Sequence, residues 1–405
     1  MPLTLRQKKL VAATVSPALR LAHGTYQTLS GRRFRPRELT QFDTRPPRRI
    51  LIVRLDTIGD VLLSEPAIAA LRARFPAARI DVAIGRGSRA ALEGNPHVDR
   101  FVEFDAPWHA AWRGQRVDRR AALAHTISAL RTLRRERYDL AFELRGDFRD
   151  ILFTALTGAR VTVGNGWRGG GFLLDHDVPV DRDAHRVDFA LGIAAAAGAV
   201  RVSDAPRLYL AEADHDFARA ALAGLSAPRV VFHLGAGFPS KCLPVEKFAT
   251  TAAWLRQTRG AAIVVIGGPD ERPLGEDLAG RLDFPVTSLI GRASLRQTAA
   301  VIAAADLFVG NDSGPMHLVA AVGTPIVTFF GPSEPHKYRP YTDRHRLLEV
   351  PLFCRPCDHI HCVHREYLCL TRIPVPAIRQ AVDDLLGPAR APATPLAFSV
   401  RARDR

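Results

Sequence analysis

The sequence predicts an α/β protein with two Rossmann-like, doubly wound parallel-sheet domains. Its 405 residues exceed what one hydrophobic core normally organises. Apolar, strand-like runs alternate with helical segments, and glycine-rich loops follow several of those runs. This strand–loop–helix–strand order favours parallel strands joined by right-handed crossovers. We therefore expect ligand-binding loops at the carboxyl ends of the strands.

The first predicted domain spans residues 48–200, after a basic extension and linker at residues 1–47. Buried-type apolar runs mark its strands, and helical spacing marks its helices. The predicted strands are 50–55, 79–84, 101–104, 140–142 and 160–164, and the predicted helices are 61–75, 121–137 and 187–199.

The second predicted domain spans residues 229–373 and follows a linker at 201–228. It shows the same alternation, with a capping box at Ser294 to Gln297 opening one helix. A C-terminal helix is expected within 374–387, and a disordered tail at 388–405. The predicted strands are 230–234, 262–266, 307–309 and 326–330, and the predicted helices are 245–258, 295–305 and 316–322.

The net charge of +15 is unevenly distributed. Residues 1–49 carry +9 and residues 388–405 carry +3, so the body between them is nearly neutral. Basic extensions on a neutral body fit an anionic membrane surface better than a nucleic acid. The alternative is a solvated arm without a partner. No apolar run approaches the roughly 18 residues of a membrane span, and no signal peptide is evident, so a cytoplasmic location is expected.

Two loops of the second predicted domain carry candidate binding residues. Residues 310–314 join a strand to a helix that has Pro315 in its first turn and Gly323 at its end, so free N–H groups and the helix dipole suit a phosphate there. Alternatively, Asp312 and Ser313 are ordinary N-cap residues. The loop 235–241 offers glycines and Lys241 for a pyrophosphate, although a solvated surface lysine is the other interpretation.

A further loop follows the first strand of the first domain. Gly59 permits a tight turn and a close approach by a ligand, and Asp60 is placed at the start of the next helix. An N-cap role alone would explain Asp60. Glu271 follows another strand and is a further candidate for ligand binding. An acid favoured by the dipole at a helix N-terminus explains it equally well.

Together these motifs resemble the donor-site signature of glycosyltransferase family 9, the ADP-heptose:lipopolysaccharide heptosyltransferases. The family has a similar D-S/T-G-x-x-H loop followed by a G-P-S/T-[DE]-P turn. Here these motifs read Asp312, Ser313, Gly314 and His317, then Gly331 to Pro335. The resemblance implies the GT-B architecture, in which two such domains face a cleft.

The resemblance also implies roles for individual residues. Asp60 matches the aspartate that acts as general base on the acceptor hydroxyl, and Lys241 matches a lysine that assists the leaving phosphate. Asp56 occupies a variable family position, so no role is transferred to it. The implied donor-binding residues are Gly235, Gly237, Ser240, Glu271, Asp312, Ser313, Gly314 and His317, and the acceptor-side loop contains Asp56, Thr57 and Gly59.

The resemblance implies an inverting, metal-independent glycosyltransferase. ADP-heptose is the implied donor, and a sugar hydroxyl on a lipid-linked lipopolysaccharide inner core is the implied acceptor. The enzyme would then be peripheral at the cytoplasmic face of the inner membrane. A different donor sugar, a glycan outside the core, or a nucleotide-binding module without turnover are the alternatives. A Rossmann oxidoreductase is disfavoured because no G-x-G-x-x-G follows the first strand.

A cysteine-rich segment near the C-terminus leaves two interpretations open. Its spacing is compatible with structural zinc, and reduced thiols that pack a loop explain it equally. The residues concerned are Cys354, Cys357, Cys362 and Cys369.

Overall fold

The computed structural model describes residues 39–112 and 116–387. Most of the predicted basic extension and the whole predicted tail at 388–405 lie outside the described residues. Contacts divide the chain into two compact units. Among the described residues, the first contains residues 39–57, Ser64–Arg89 and Asn95–Asp204, and the second contains Ile58–Leu63, Ala90–Gly94 and residues 205–387.

The first unit is built on a six-stranded parallel sheet with the order β3-β2-β1-β4-β5-β6. The order in which the chain adds strands to the sheet reverses between β1 and β4, as in a doubly wound fold. The strands are β1 (Arg49–Arg54), β2 (Arg79–Ile84), β3 (Arg100–Glu103), β4 (Leu140–Glu143), β5 (Val161–Gly164) and β6 (His176–Asp177).

Helices connect these strands and cover the sheet. β1 is apolar on both faces: Leu51 and Val53 pack in one core layer with Phe104 and Phe153, and Ile52, also fully buried, alternates with them. The helices up to residue 195 are α1 (Gln41–Thr44), α2 (Ile58–Leu62), α3 (Glu65–Arg74), α4 (Pro107–Trp112), α5 (Arg119–Glu136), α6 (Phe148–Leu156) and α7 (Arg186–Ala195).

The second unit repeats this topology with the order β12-β11-β10-β7-β8-β9. Its reversal point lies between β7 and β10. The strands are β7 (Arg229–His233), β8 (Ala262–Ile266), β9 (Thr287–Ser288), β10 (Leu307–Asn311), β11 (Ile326–Phe330) and β12 (His345–Glu349). Two doubly wound parallel sheets confirm the predicted fold class.

Two apolar layers cover the faces of the second sheet. Val230 and Phe232 point into one layer and Val231 into the other, which is the alternation of a strand buried on both sides. The last helix contributes Ile378 and Val382 to the first layer. The remaining helices are α8 (Glu212–Ala221), α9 (Val245–Arg259), α10 (Arg272–Gly280), α11 (Leu295–Ala303), α12 (Gly314–Val322), α13 (Pro335–Tyr338), α14 (Leu368–Thr371) and α15 (Val375–Leu386).

The structure corrects several sequence predictions. The single helix expected at 61–75 is two helices, α2 and α3, and Pro66 lies in the first turn of α3, where its missing N–H costs nothing. Helices α6, α8 and α10 and the edge strand β12 were not predicted. Within the described residues, no helix combines the length and apolarity that a membrane span requires.

Candidate functional site

The candidate site of the second unit lies at the carboxyl ends of β7 and β10. These strands are neighbours at the reversal point of the sheet, where connecting loops diverge and leave room for a ligand. β7 ends at His233 and β10 ends at Asn311. The loops that follow them carry most of the predicted donor-binding residues.

Asn311 fixes the glycine loop that follows β7. Its amide group is fully buried: Nδ2 donates to the carbonyl oxygens of Leu234 at 2.8 Å and Gly235 at 3.2 Å, and Oδ1 accepts from the N–H of Leu243 at 2.9 Å. One side chain therefore satisfies three backbone groups that would otherwise be buried without partners. Sequence analysis assigned no role to Asn311.

Lys241 forms an ion pair at the N-terminus of α12. Its Nζ lies 2.7 Å from Asp312 Oδ2, and the Ser333 hydroxyl donates to the same oxygen at 2.5 Å. Asp312 is almost fully buried, and about a fifth of the Lys241 side chain is exposed. The interpretation of Lys241 as a solvated surface lysine does not fit this geometry. Ser333 belongs to the Gly-Pro-Ser-Glu-Pro turn, and its own contact was not anticipated.

His233 links two further loops. Its Nδ1 is 3.1 Å from the Ser313 hydroxyl, and its Nε2 is 3.2 Å from Glu271 Oε1. Burial raises the pKa of Glu271, but the hydrogen bond from His233 and the N–H of Gly268 outweigh it, so the pKa lies below its usual value. Ser313 occupies the N-cap position of α12, but its side chain makes no cap hydrogen bond to that helix.

Two predicted residues of the glycine loop have different surroundings. A Cβ at Gly235 would lie 1.6 Å from Glu271 Oε1, so only glycine allows Glu271 to occupy this position. A Cβ at Gly237 would contact nothing within 4 Å, and the residue is exposed. Ser240, in contrast, is buried, and its hydroxyl donates to the carbonyl oxygen of His359 at 2.5 Å. Its side chain thus makes a structural bond to the cysteine-rich segment.

Asp60 lies within α2, which the contacts group with the second unit. α2 begins at Ile58, so the partly exposed Asp60 is its third residue and does not occupy the N-cap position. A Cβ at Gly59 would lie 2.7 Å from His317 Cδ2. Glycine therefore permits α2 to approach α12 closely.

His317 is a neutral, buried histidine on α12. Burial lowers its pKa to about 4, with the Asp312 carboxylate opposing and the Lys241 ammonium adding to that effect. Among the described residues, its Nδ1 is buried without a hydrogen-bond partner. A buried polar atom of this kind is unusual in a native interior.

A second polar cluster lies in the first unit, at the carboxyl ends of β1 and β4. Asp56 Oδ2 lies 3.0 Å from Arg145 Nε and 3.8 Å from Arg54 Nη2. Its neighbour Thr57 is exposed. Two guanidinium groups thus lie against the Asp56 carboxylate.

Arg145 connects Asp56 to further residues that sequence analysis missed. Its Nη1 lies 2.8 Å from His109 Nε2 and 3.3 Å from Asp150 Oδ2. Glu143, fully buried beside them, has its pKa raised by burial and by the Asp150 carboxylate. The sequence did contain a weak signal, because Arg145 comes three residues after the predicted strand 140–142.

The cysteine-rich segment contains free thiols. All five cysteines of the chain are unpaired and partly buried. Burial raises the pKa of Cys369, and the nearby Arg355 partly offsets this. In the part of the chain that the structure describes, no group of three His, Cys, Asp or Glu side chains is arranged to hold a metal ion. The structure thus gives no support to the zinc interpretation.

The chain has two doubly wound sheets, and glycine loops, a lysine and a helix N-terminus lie together at the reversal point of the second sheet. These features define a protein of the class that binds phosphorylated nucleotide ligands. The model of glycosyltransferase family 9 (heptosyltransferase) matches residues 126–368. The chain belongs to this family. Its predicted class as a glycosyltransferase is thereby confirmed.

Relatives and solved structures agree with this assignment. The chain is 28% identical over 324 residues to lipopolysaccharide heptosyltransferase 2 of Salmonella typhimurium, covering 75% of this chain and 88% of that protein. It is 27% identical over 295 residues to lipopolysaccharide heptosyltransferase 3 of Escherichia coli, covering 70% and 84%.

The structural comparisons extend over most of the chain. The family 9 glycosyltransferase of Veillonella parvula matches with a TM-score of 0.71 and 24% identity, covering 84% of this chain and 97% of that one. The ADP-heptose heptosyltransferase II of E. coli matches with a TM-score of 0.67 and 24% identity, covering 84% and 98%. These likenesses confirm the predicted GT-B fold.

Proposed function

We propose that the chain transfers heptose from ADP-heptose to a sugar hydroxyl of a lipopolysaccharide inner core, with inversion at the anomeric carbon. The observation that carries the proposal is the Lys241–Asp312 pair at the N-terminus of α12, within a family 9 chain. The relatives named above are lipopolysaccharide heptosyltransferases, which supports this donor and acceptor. A different nucleotide sugar or acceptor glycan is the second candidate.

The donor diphosphate is expected over the glycine loop and the start of α12. Backbone N–H groups around Ser313 and Gly314, and the positive end of the helix dipole, favour negative charge there. Lys241 adds a compact positive charge that would strengthen its attraction as the sugar–phosphate bond breaks. Gly237, with open space around it, leaves room for the ligand.

Glu271 is proposed to bind the ribose of the donor. Its lowered pKa keeps the carboxylate ionised, and an ionised carboxylate accepts hydrogen bonds from ribose hydroxyls. His233 orients it through the 3.2 Å contact described above. Gly235 makes room for it. The reaction as proposed requires no metal ion, because lysine and helix dipole supply the positive charge.

Asp60 is proposed as the general base. It lies in the first turn of α2 and not at the N-cap position. The carboxylate would take the proton of the acceptor hydroxyl while the oxygen attacks the anomeric carbon opposite the diphosphate. Asp56, held by Arg145 and Arg54, would act in positioning the acceptor-side loop.

The test is Asp60→Asn in the full chain. The amide is nearly the same size but does not accept the proton as a carboxylate does, so we expect turnover to fall by about 10²- to 10⁴-fold. Binding of ADP-heptose, measured by calorimetry, should change little. Asp188→Asn is a matched control, because Asp188 lies in the first turn of α7 in the first unit. A folded Asp60→Asn variant that retains most of its transferase activity would refute the assignment.

A peripheral location at the cytoplasmic face of the inner membrane is part of the same proposal. A lipid-linked acceptor requires the enzyme to work at a membrane surface. The charge of +9 within residues 1–49 supports an electrostatic contribution to membrane binding. Deleting residues 1–45 should then weaken binding to anionic vesicles, and added salt should have the same effect.

A further inference from the structure

Helix α5 is more exposed and more basic than its neighbours. Over its 18 residues, Leu133 is the one fully buried side chain. The helix contains five arginines and one glutamate, giving a net charge of +4. Asp118 caps its start by accepting from the N–H groups of Arg120 and Ala121. The helix is therefore locally well defined, although little of its surface is used for packing.

The two sides of α5 differ sharply. Ala129, Leu130 and Leu133 pack against the core of the first unit. Residues on another side recur at intervals of three and four, which places them on one face of a helix. We call this face the exposed stripe; every member is exposed, and its members are Arg120, Leu123, Ile127, Arg131 and Arg134.

The centre of the exposed stripe is aliphatic. Leu123 is 62% exposed and Ile127 is 39% exposed. Leu156, whose carbonyl oxygen accepts a hydrogen bond from Arg134 Nε at 2.8 Å, is also 39% exposed. Two branched aliphatic side chains one helical turn apart, flanked by arginines at both ends, form an amphipathic surface with no function in the core.

The positive charge of the exposed stripe is not neutralised locally. Within residues 39–112 and 116–387, no carboxylate forms an ion pair with Arg120 or Arg131. The one acid of the helix, Glu136, is held by Arg79 and Arg100 at 2.5 Å each, on the side of the sheet. The charges of the stripe are therefore available to an anionic partner.

We infer that the exposed stripe docks on an anionic lipid surface. Arginines attract acidic headgroups, and the aliphatic centre gains free energy by entering the boundary between headgroups and acyl chains. A nucleic acid would use the charge but leave Leu123 and Ile127 in water. The inference rests on the proposed function, in that it specifies how the enzyme reaches a lipid-linked acceptor, and it assigns this contact to the folded body as well as to the basic extension.

The experiment is vesicle flotation with the full chain. The vesicles contain phosphatidylcholine alone or with about 30% phosphatidylglycerol. We expect Arg120→Gln/Arg131→Gln to weaken binding to the anionic vesicles by about ten-fold or more, since each arginine near such a surface contributes about five-fold. Leu123→Gln/Ile127→Gln should weaken binding by about ten-fold while leaving the salt dependence unchanged.

Val200→Gln/Val202→Gln is the matched control. These two valines are 74% and 53% exposed in the same unit but lie outside α5, so we expect wild-type binding. Equal binding by the stripe variants and the wild type would overturn the inference, as would an equal loss in the valine control. The inference would also be overturned if the stripe variants lost dimerisation or RNA binding but still bound the vesicles like the wild type.

Transferase activity on a water-soluble acceptor separates this inference from the proposed function. The wild type, the two stripe variants and the valine control should all have the same turnover in solution, because the exposed stripe contributes no residue to the proposed site. A wild-type protein that binds anionic vesicles but transfers no sugar would refute the proposed function alone.

Discussion

Removing the charge of Lys241 should reveal how much of its role is structural. Asp312 is 4% exposed, and its Oδ2 lies 2.7 Å from Lys241 Nζ. Lys241→Met therefore leaves a buried carboxylate whose one remaining side-chain partner, among the described residues, is the Ser333 hydroxyl. Breaking a buried pair in this way typically costs about 3–5 kcal/mol. Because about a fifth of the lysine side chain is exposed, water offsets part of that cost, and we expect a loss of about 2–3 kcal/mol.

A double-mutant cycle separates stability from donor binding. Asp312→Asn removes the carboxylate that Lys241→Met leaves without its ion-pair partner. The double variant Lys241→Met/Asp312→Asn should therefore be about 1–2 kcal/mol more stable than Lys241→Met in urea denaturation. Donor affinity and turnover should not recover, because the lysine itself is still missing from the diphosphate site. Calorimetry with ADP-heptose and a transferase assay supply these two measurements.

Lys247→Met is the matched control. Lys247 lies on α9 in the same unit, and its Nζ donates to the carbonyl oxygen of Ile373 rather than to a carboxylate. We expect it to lower stability without changing donor affinity. Wild-type stability of Lys241→Met would refute the buried ion pair. Restoration of turnover in the double variant would show that Lys241 acts only by holding Asp312.

Three further predictions follow from neighbouring contacts. Gly235→Ala places a Cβ 1.6 Å from Glu271 Oε1, so it should lower the melting temperature and weaken donor binding, whereas Gly237→Ala, with open space around it, should do neither. His317 has its folded pKa lowered from 6.5 to about 4, so the native state binds fewer protons than the unfolded state between these values. The contribution of neutral, buried His317 to the free energy of unfolding is thus fully present above pH 6.5 and is lost as the pH falls towards 4. We therefore expect His317→Gln to remove up to about 3 kcal/mol of this acid sensitivity, compared with wild type by denaturation at each pH. Elemental analysis of the purified full chain should find far less than one zinc per molecule, and stoichiometric zinc would restore the metal interpretation.

Most strands of both sheets were predictable because they are continuous apolar runs. The strands β6, β9 and β12 were not predicted, because each is short or only partly buried. β2, β8 and β11 have the predicted bounds, and each ends directly before a glycine: Gly85, Gly267 and Gly331. Helix α8 was missed because few apolar residues mark it, and Ala218 is its one fully buried side chain.

The candidate site was only partly predictable. Glycine, lysine and the Asp-Ser-Gly loop carry recognisable patterns, and the structure brings Lys241 to Asp312 and Ser313 to His233. The contacts of Asn311 and Arg145 were not predictable, because they depend on which strands become neighbours. That adjacency is set by long-range packing, which no local pattern encodes.

Asn311 has a consequence for how the site meets its ligand. Asn311 donates twice at the start of the glycine loop and accepts once just beyond its end, so both ends of that loop are joined to the end of β10. The loop therefore has little freedom left to lose when a nucleotide sugar arrives, so binding requires little ordering of this part of the protein. A donor would bind to a loop that is already ordered, and any closing motion during the reaction would have to take place in other segments of the chain.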